Sequence, residues 1–256
     1  MGDSVLVVGD EATVKVHVHS DRPGQVIDYG CSLAILQDVV VENMQVQHEE
    51  FVSRLGRATT SVPEPASGIG LVAVVPGAGL QRVFESLGVQ AVVAGGQTMN
   101  PSTEELLSAV NSLPNRQVII LPNNANVILT ARQAKSLATK EVTVVPTRTI
   151  PQGISALLAL NYQADLEANA AAMEEAASVV QTIEVTTAVR SVGVNGMKVS
   201  QGDVIALLND ELSAAGSDSL AVALPVLERI HAERLEIITI YYGADVSRPE
   251  AEAFAA

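Results

Sequence analysis

The sequence predicts an α/β protein, with a small α+β unit followed by a larger domain in which strands and helices alternate. Three observations carry this expectation. From residue 69 onward, short apolar runs at 71–75, 91–94, 118–121 and 142–145, the last broken only by Thr143, are separated by single helix-length segments. That is the pattern of buried parallel strands joined by right-handed crossovers. The chain is 48% hydrophobic but only 3% aromatic and has no Trp, so its core is built from Ala, Val, Leu and Ile. Residues 57–68 combine two prolines with small polar residues and no periodicity, which is linker chemistry between domains at 1–56 and 69–256.

The elements follow in order. Residues 4–8 and 14–19 read as strands joined by Gly9-Asp10-Glu11, the second placing Val14, Val16 and Val18 on one face. Asp21 is the expected N-cap of a helix carrying Pro23 in its first turn, with Ile27, Cys31, Leu33 and Leu36 as its buried side. A third strand at 39–41 and helical turns within 42–55 complete the small unit. In the larger domain, helices are expected at 80–87, 102–110 and 126–137, between the four apolar strands. Ser102 and Glu105 form the capping-box spacing before Leu106, Leu107 and Val110. Helices at 152–160 and 165–180 make a connecting segment, the second rich in Ala. Strands then follow at 182–189, 191–194, 204–208 and 235–242, and helices at 219–231 and 244–254. Asn195-Gly196 is the strongest hairpin signal in the chain.

Charge and composition exclude several function classes. The net charge is −14, and residues 200–256 carry 3 Lys+Arg against 10 Asp+Glu. Nucleic acid and anionic membrane surfaces need basic patches, so neither is an expected partner. No run of about 18 apolar residues marks a membrane span, and Met1-Gly2-Asp3-Ser4 does not open a signal peptide. A single cysteine, Cys31, suits a reducing cytoplasm and is expected as a small, partly buried apolar side chain.

The stretch richest in site chemistry follows the strand at 91–94. Gly95, Gly96, Gln97, Thr98, Asn100 and Ser102 form a polar loop feeding a helix N-terminus, where free N–H groups and the helix dipole gather. A second polar loop after 118–121 carries Asn123, Asn124 and Asn126. Both would lie at the carboxyl edge of the sheet, where open α/β sheets bind ligands and partners. A plain turn that caps a helix explains each loop equally well. Gly77 and Gly79 follow a strand but match no dinucleotide or phosphate-loop motif. His17 and His19, two apart on a strand, project from one face and could share zinc, which requires a third protein ligand. Cys31, His48 and Asp21 are the nearby candidates, and two surface histidines are the alternative. No nucleophile elbow or comparable signature is present.

Val14-Lys15-Val16-His17-Val18-His19, Asp21-Arg22-Pro23-Gly24, Glu42-Asn43-Met44 and Gln47-His48 together resemble the middle domain of the ATP-binding component of bacterial fatty acid kinase, in a dihydroxyacetone kinase-like family. The 95–103 loop, Leu121-Pro122-Asn123-Asn124-Ala125-Asn126 and Tyr241-Tyr242-Gly243-Ala244-Asp245 resemble its C-terminal domain. The resemblance covers essentially the whole chain. It implies a DegV-like (EDD) fold for 69–256, with halves at about 69–150 and 182–256, mainly parallel sheets, and a helical segment at 151–181. It also implies a two-component system in which a DegV-type carrier presents a fatty acid for phosphorylation by ATP.

His17 and His19 map onto the family's zinc histidines, but its third ligand is a cysteine upstream of Met1, so the zinc site is expected to be incomplete. ATP and magnesium belong to an N-terminal nucleotide-binding domain outside residues 1–256. The expected role is therefore a non-catalytic region that docks the carrier, with a homodimer as a further expectation. A free-standing zinc-dependent enzyme at His17/His19 and a fatty-acid-binding domain are the alternatives.

Overall fold

The computed structural model describes residues 3–9, 14–37, 39, 41, 68–96, 100–194, 197–235, 237–243 and 246–255. Two compact units, 1–64 and 65–256, divide the chain.

In the first unit β1 (Asp3–Gly9) and β2 (Val14–His19) form an antiparallel pair in which Val7 faces Val16 and Leu6 faces His17. The helix α1 (Pro23–Leu33) starts one residue later than a cap at Asp21 would require. Its N-cap is Arg22, without a side-chain bond, and Pro23 opens the first turn with its preset φ. Ser20 accepts from the Arg22 N–H at 3.1 Å and fixes that turn in place of Asp21. The expected buried face of α1 is not buried: Cys31, Leu33 and Leu36 are exposed and Ile27 is half-buried. Val39 and Val41 are likewise exposed and lie in no strand. Apolar spacing marks a face, but burial requires a surface to pack on, and the sequence pattern does not supply one. The turns expected within 42–55, and most of the 57–68 linker, lie outside the described residues.

The second unit opens with β3 (Ile69–Val75), α2 (Gly77–Ser86), β4 (Ala91–Ala94), α3 (Thr103–Ser112), β5 (Gln117–Leu121), α4 (Ile128–Leu137) and β6 (Glu141–Val144). The four strands are all parallel, in the order β4-β3-β5-β6. The inner strands β3 and β5 are almost wholly apolar because both of their faces are covered. Val72, Val74, Val118 and Ile120 meet Leu106 and Val110 of α3 and Ala131 and Ala134 of α4. The alternate positions Leu71, Ala73, Ile119 and Leu121 are just as buried on the opposite face. Each fully buried Leu or Ile contributes about 2–3 kcal/mol. The chain steps from β3 out to β4, then back across β3 to β5, so right-handed crossovers put α2 and α3 on opposite faces. α2 starts at Gly77 rather than at residue 80, with Gly77 at φ +70°, a conformation open to glycine at little cost.

Two helices, α5 (Ile150–Leu158) and α6 (Leu166–Ser178), pack against each other, and α6 also meets β5 and β6. They form the expected connecting segment. Asp165 caps α6 by accepting from the Ala168 N–H at 2.8 Å.

The second half contains β7 (Ile183–Thr187), the hairpin β8 (Val192–Val194) and β9 (Met197–Val199), β10 (Val204–Leu208), β11 (Glu211–Gly216), α7 (Ser219–Arg229) and α8 (Arg248–Ala255). Val194 faces Met197 across the hairpin, and Asn195-Gly196, the turn between them, lies outside the described residues. The three-stranded sheet β11-β10-β7 is antiparallel, unlike the sheet of the first half, and α7 covers it through Val222 and Val226 packed on Ala206. Thus the α/β two-half arrangement stands, with one half wholly parallel. β11 was not foreseen. Asn209 and Asp210, both at positive φ (51° and 71°), turn β10 into β11, a two-residue hairpin without the glycine that usually advertises one.

The strand expected at 235–242 does not form. No backbone hydrogen bond runs from 237–242 to another described residue, and 237–243 are all exposed. Residues such as Ile237, Ile238 and Ile240 favour a strand only where a neighbouring ladder receives them. Among the described residues, no helix is long and apolar enough to cross a membrane.

Candidate partner-docking edge of the parallel sheet

Because β3, β4 and β5 run parallel, the loops after Val75, Ala94 and Leu121 emerge on one edge. Strand order reverses around β3, and in open α/β sheets the crevice at such a switch point is where ligands enter. Here the chain fills the place itself. Asn123, at φ 51° and almost fully buried, turns inward. Its Nδ2 donates to the Val74 carbonyl at 3.0 Å, and its backbone N–H donates to Thr147 Oγ1 at 3.1 Å. Thr147 in turn donates to Asn123 Oδ1 at 2.8 Å. Both polar atoms of the Asn123 side chain are thereby used, and β3, β5 and the loop after β6 are held as one block.

The two predicted loops are brought together beside that block. Asn124 Nδ2 donates to the Gly96 carbonyl at 3.3 Å, while its Oδ1 accepts from the Asn126 N–H at 2.8 Å and caps the 3₁₀ turn Ala125–Val127 that leads into α4. Gly95 is buried, its N–H donating to the Val75 carbonyl at 3.3 Å. Asn100, Ser102 and Asn126 are exposed and Gly96 and Asn124 half-buried. Gln97 and Thr98 lie outside the described residues. Of the predicted site residues, Asn123 and Gly95 therefore serve the block, and Asn100, Ser102 and Asn126 face solvent. Thr147 was not identified from sequence; only its place after a strand end hints at a role.

The capping box at α3 is complete. Ser102 Oγ accepts from the Glu105 N–H at 3.2 Å, and Glu105 accepts from the Ser102 N–H at 2.7 Å and from its hydroxyl at 2.9 Å. The Ser102 backbone and hydroxyl bonds hold the Glu105 carboxyl below its ordinary value. A carboxylate depressed in the folded state stabilises it fully above the unfolded value, and that contribution is lost as pH falls through the folded value. Ser102→Ala removes the N-cap and should cost about 1 kcal/mol at neutral pH. In acid the gap between the variant and the parent should narrow without closing, because the bond from the Glu105 N–H to Ser102 Oγ does not titrate.

His17 and His19 both lie on β2, where the pleat places residues two apart on the same side. Among the described residues, no three His, Cys, Asp or Glu groups converge to hold a metal. Cys31 is exposed on α1, and His48 lies outside the described residues. The side chains of His17 and His19 likewise lie outside the described residues.

Comparison with known proteins fits this two-unit layout. The FakA-like (fatty acid kinase) middle-domain family matches residues 1–51, and the FakA-like C-terminal family matches residues 70–256. Protein YloV of Bacillus subtilis (strain 168) is 40% identical over 252 residues, covering 98% of this chain and 46% of its own length. An uncharacterised protein of Staphylococcus aureus (strain USA300) is 36% identical over 247 residues, covering 96% of this chain and 45% of its own. The chain spans about half the length of the curated relatives it matches. Two domain families matched in chain order, one on each compact unit, place the chain in the FakA-like family of fatty acid kinase subunits.

Proposed function

We propose that this chain is the carrier-docking region of a fatty acid kinase subunit. It holds a DegV-type fatty-acid carrier in the cytoplasm, while a separate nucleotide-binding domain transfers phosphate from ATP to the acyl carboxylate. The observation that supports this reading is the filled switch point. Asn123 occupies the crevice where a small ligand would enter, and what remains on the edge is an exposed polar surface of Asn100, Ser102 and Asn126 on a rigid base. Such a surface suits a second protein better than a buried substrate, since small-molecule sites are concave and mostly apolar.

Calorimetric titration of residues 1–256 with a DegV-type carrier, run beside an assay of ATP consumption, tests the reading. Saturable binding without ATP consumption is the expected result, weakened several-fold by Asn126→Ala or Asn100→Ala. Turnover of ATP by the chain alone would overturn the non-catalytic assignment, and absence of binding would overturn the docking role. Stoichiometric zinc that disappears in His17→Ala, together with a hydrolytic activity, would favour a metal-dependent enzyme instead.

A further inference from the structure

Residues 76, 95–102, 122–127 and 145–149 follow the four parallel strands at the carboxyl edge of their sheet. The last segment joins the others there because β6 runs parallel to β5. Together they hold a single charged side chain, Arg148. In a chain of net charge −14, the one charge among these connections is therefore positive.

The loop after β6 presents this side chain from a fixed backbone. Val145, Thr147 and Thr149 are buried, and Arg148 among them is exposed. Thr147 is tied to Asn123, and Thr149 Oγ1 lies 2.8 Å from Thr182 Oγ1. The Arg148 N–H donates to Gln152 Oε1 at 2.8 Å. Among the described residues the guanidinium has one ion-pair partner, Asp210 in the turn between β10 and β11, with Oδ2 4.0 Å from Nε. That separation is beyond hydrogen-bond reach. With the two side chains 58% and 36% exposed, such a pair contributes little.

A guanidinium grips a carboxylate through two parallel N–H bonds. A strongly acidic partner face would be repelled by the net charge of the chain, and a basic one by Arg148 itself. The complementary face is polar and uncharged, with one carboxylate set opposite Arg148. A partner without that carboxylate would strip water from the cation and return nothing, which is how a single charge selects.

We propose that Arg148 is the specificity-determining contact of the docking edge, and that it pairs with an Asp or Glu side chain of the carrier. The inference rests on the docking reading above and deepens it. Asp210 is the competitor, holding the guanidinium loosely in the free chain and yielding it to the closer carboxylate of the partner.

The test is calorimetric titration of residues 1–256 and its Arg148→Gln, Asp210→Asn and Asn126→Ala variants with a DegV-type carrier, both loaded with fatty acid and stripped of it. Arg148 is exposed, and Asn is at home at the positive φ of Asp210, so both variants should fold, which circular dichroism verifies. Arg148→Gln should bind about tenfold more weakly to either form of the carrier. Asp210→Asn should bind no more weakly than the parent, and up to about threefold more tightly. Unchanged binding by Arg148→Gln would overturn the inference, while the docking reading then stands or falls on Asn126→Ala. Equal losses in Arg148→Gln and Asp210→Asn would also overturn it, since the pair would then serve the loop and not the partner. A loss confined to the loaded carrier would assign Arg148 to the acyl carboxylate and overturn the pairing with a protein side chain. No binding by the intact chain would overturn both readings.

Discussion

Gly153→Ala is expected to destabilise the second unit by roughly 3 kcal/mol, the sum of an overpacking cost and the loss of well-made buried hydrogen bonds. A Cβ built on Gly153 lies 2.1 Å from Asn123 Oδ1 and 2.7 Å from its Cγ. A surface side chain would swing away, but Asn123 cannot. It is buried, held by Val74 and Thr147, and fixed at a positive φ. Either α5 shifts away from Asn123 or Asn123 gives up its bonds inside the core. The two positions should therefore couple. Asn123→Gly keeps the backbone conformation and removes the obstructing amide, so Asn123→Gly/Gly153→Ala should lose less than the sum of the single variants. Urea unfolding followed by circular dichroism measures all three. Additive losses would mean that Gly153 and Asn123 do not meet in solution. Because Asn123 also holds the edge proposed for docking, that reading expects Gly153→Ala to weaken carrier binding even where the protein remains folded.

Asn169→Ala should cost roughly 2–3 kcal/mol. This asparagine is 1% exposed and staples the loop between α5 and α6. Its Oδ1 accepts from the Asn161 N–H at 2.7 Å, and its Nδ2 donates to the carbonyls of Asn161, Ala164 and Asp165 at 2.9, 3.0 and 3.0 Å. Removing the amide takes the side-chain partner from the Asn161 N–H and the Ala164 carbonyl at once, and strips one of two bonds from the Asn161 and Asp165 carbonyls. Asn169→Asp separates shape from chemistry. It preserves size and the acceptor but faces a carboxylate toward three carbonyl oxygens, so at neutral pH it should be at least as damaging as alanine. Its folded carboxyl would be raised above the unfolded value, so the penalty should shrink as pH falls and the group protonates. A melting temperature that rises toward the parent's in acid would show this; a pH-independent deficit would contradict it.

Much of the first half was legible because its signals are local and mutually consistent. The strands at 69–75 and 91–94 and the stretch 118–121 are continuous apolar runs, and Ser102 and Glu105 announce their helix start in four residues. Asp165 and Asp218 cap their helices in the same way, through side chains that reach only three residues along the chain. The family, too, was readable from the ordered motifs. What failed were statements that need a distant partner. Asp21 had the right chemistry for a cap but stood one residue too far from the helix, and Cys31, Leu33 and Leu36 had the right spacing for a core but are exposed.

The sequence by itself therefore determined the order of the elements in the first half of the larger domain, the parallel character of its sheet and the family, because apolar periodicity, caps and motifs act within a few residues. Only the tertiary structure decided that Asn123 points into the sheet rather than toward a ligand, since its partners Val74, Thr147 and Gly153 are 49, 24 and 30 residues away. It likewise decided that the apolar segment 237–243 lies on the surface rather than in a sheet. Residue type sets the preference for a strand, but the free energy that realises it comes from a neighbouring backbone, and no local pattern encodes where that neighbour is.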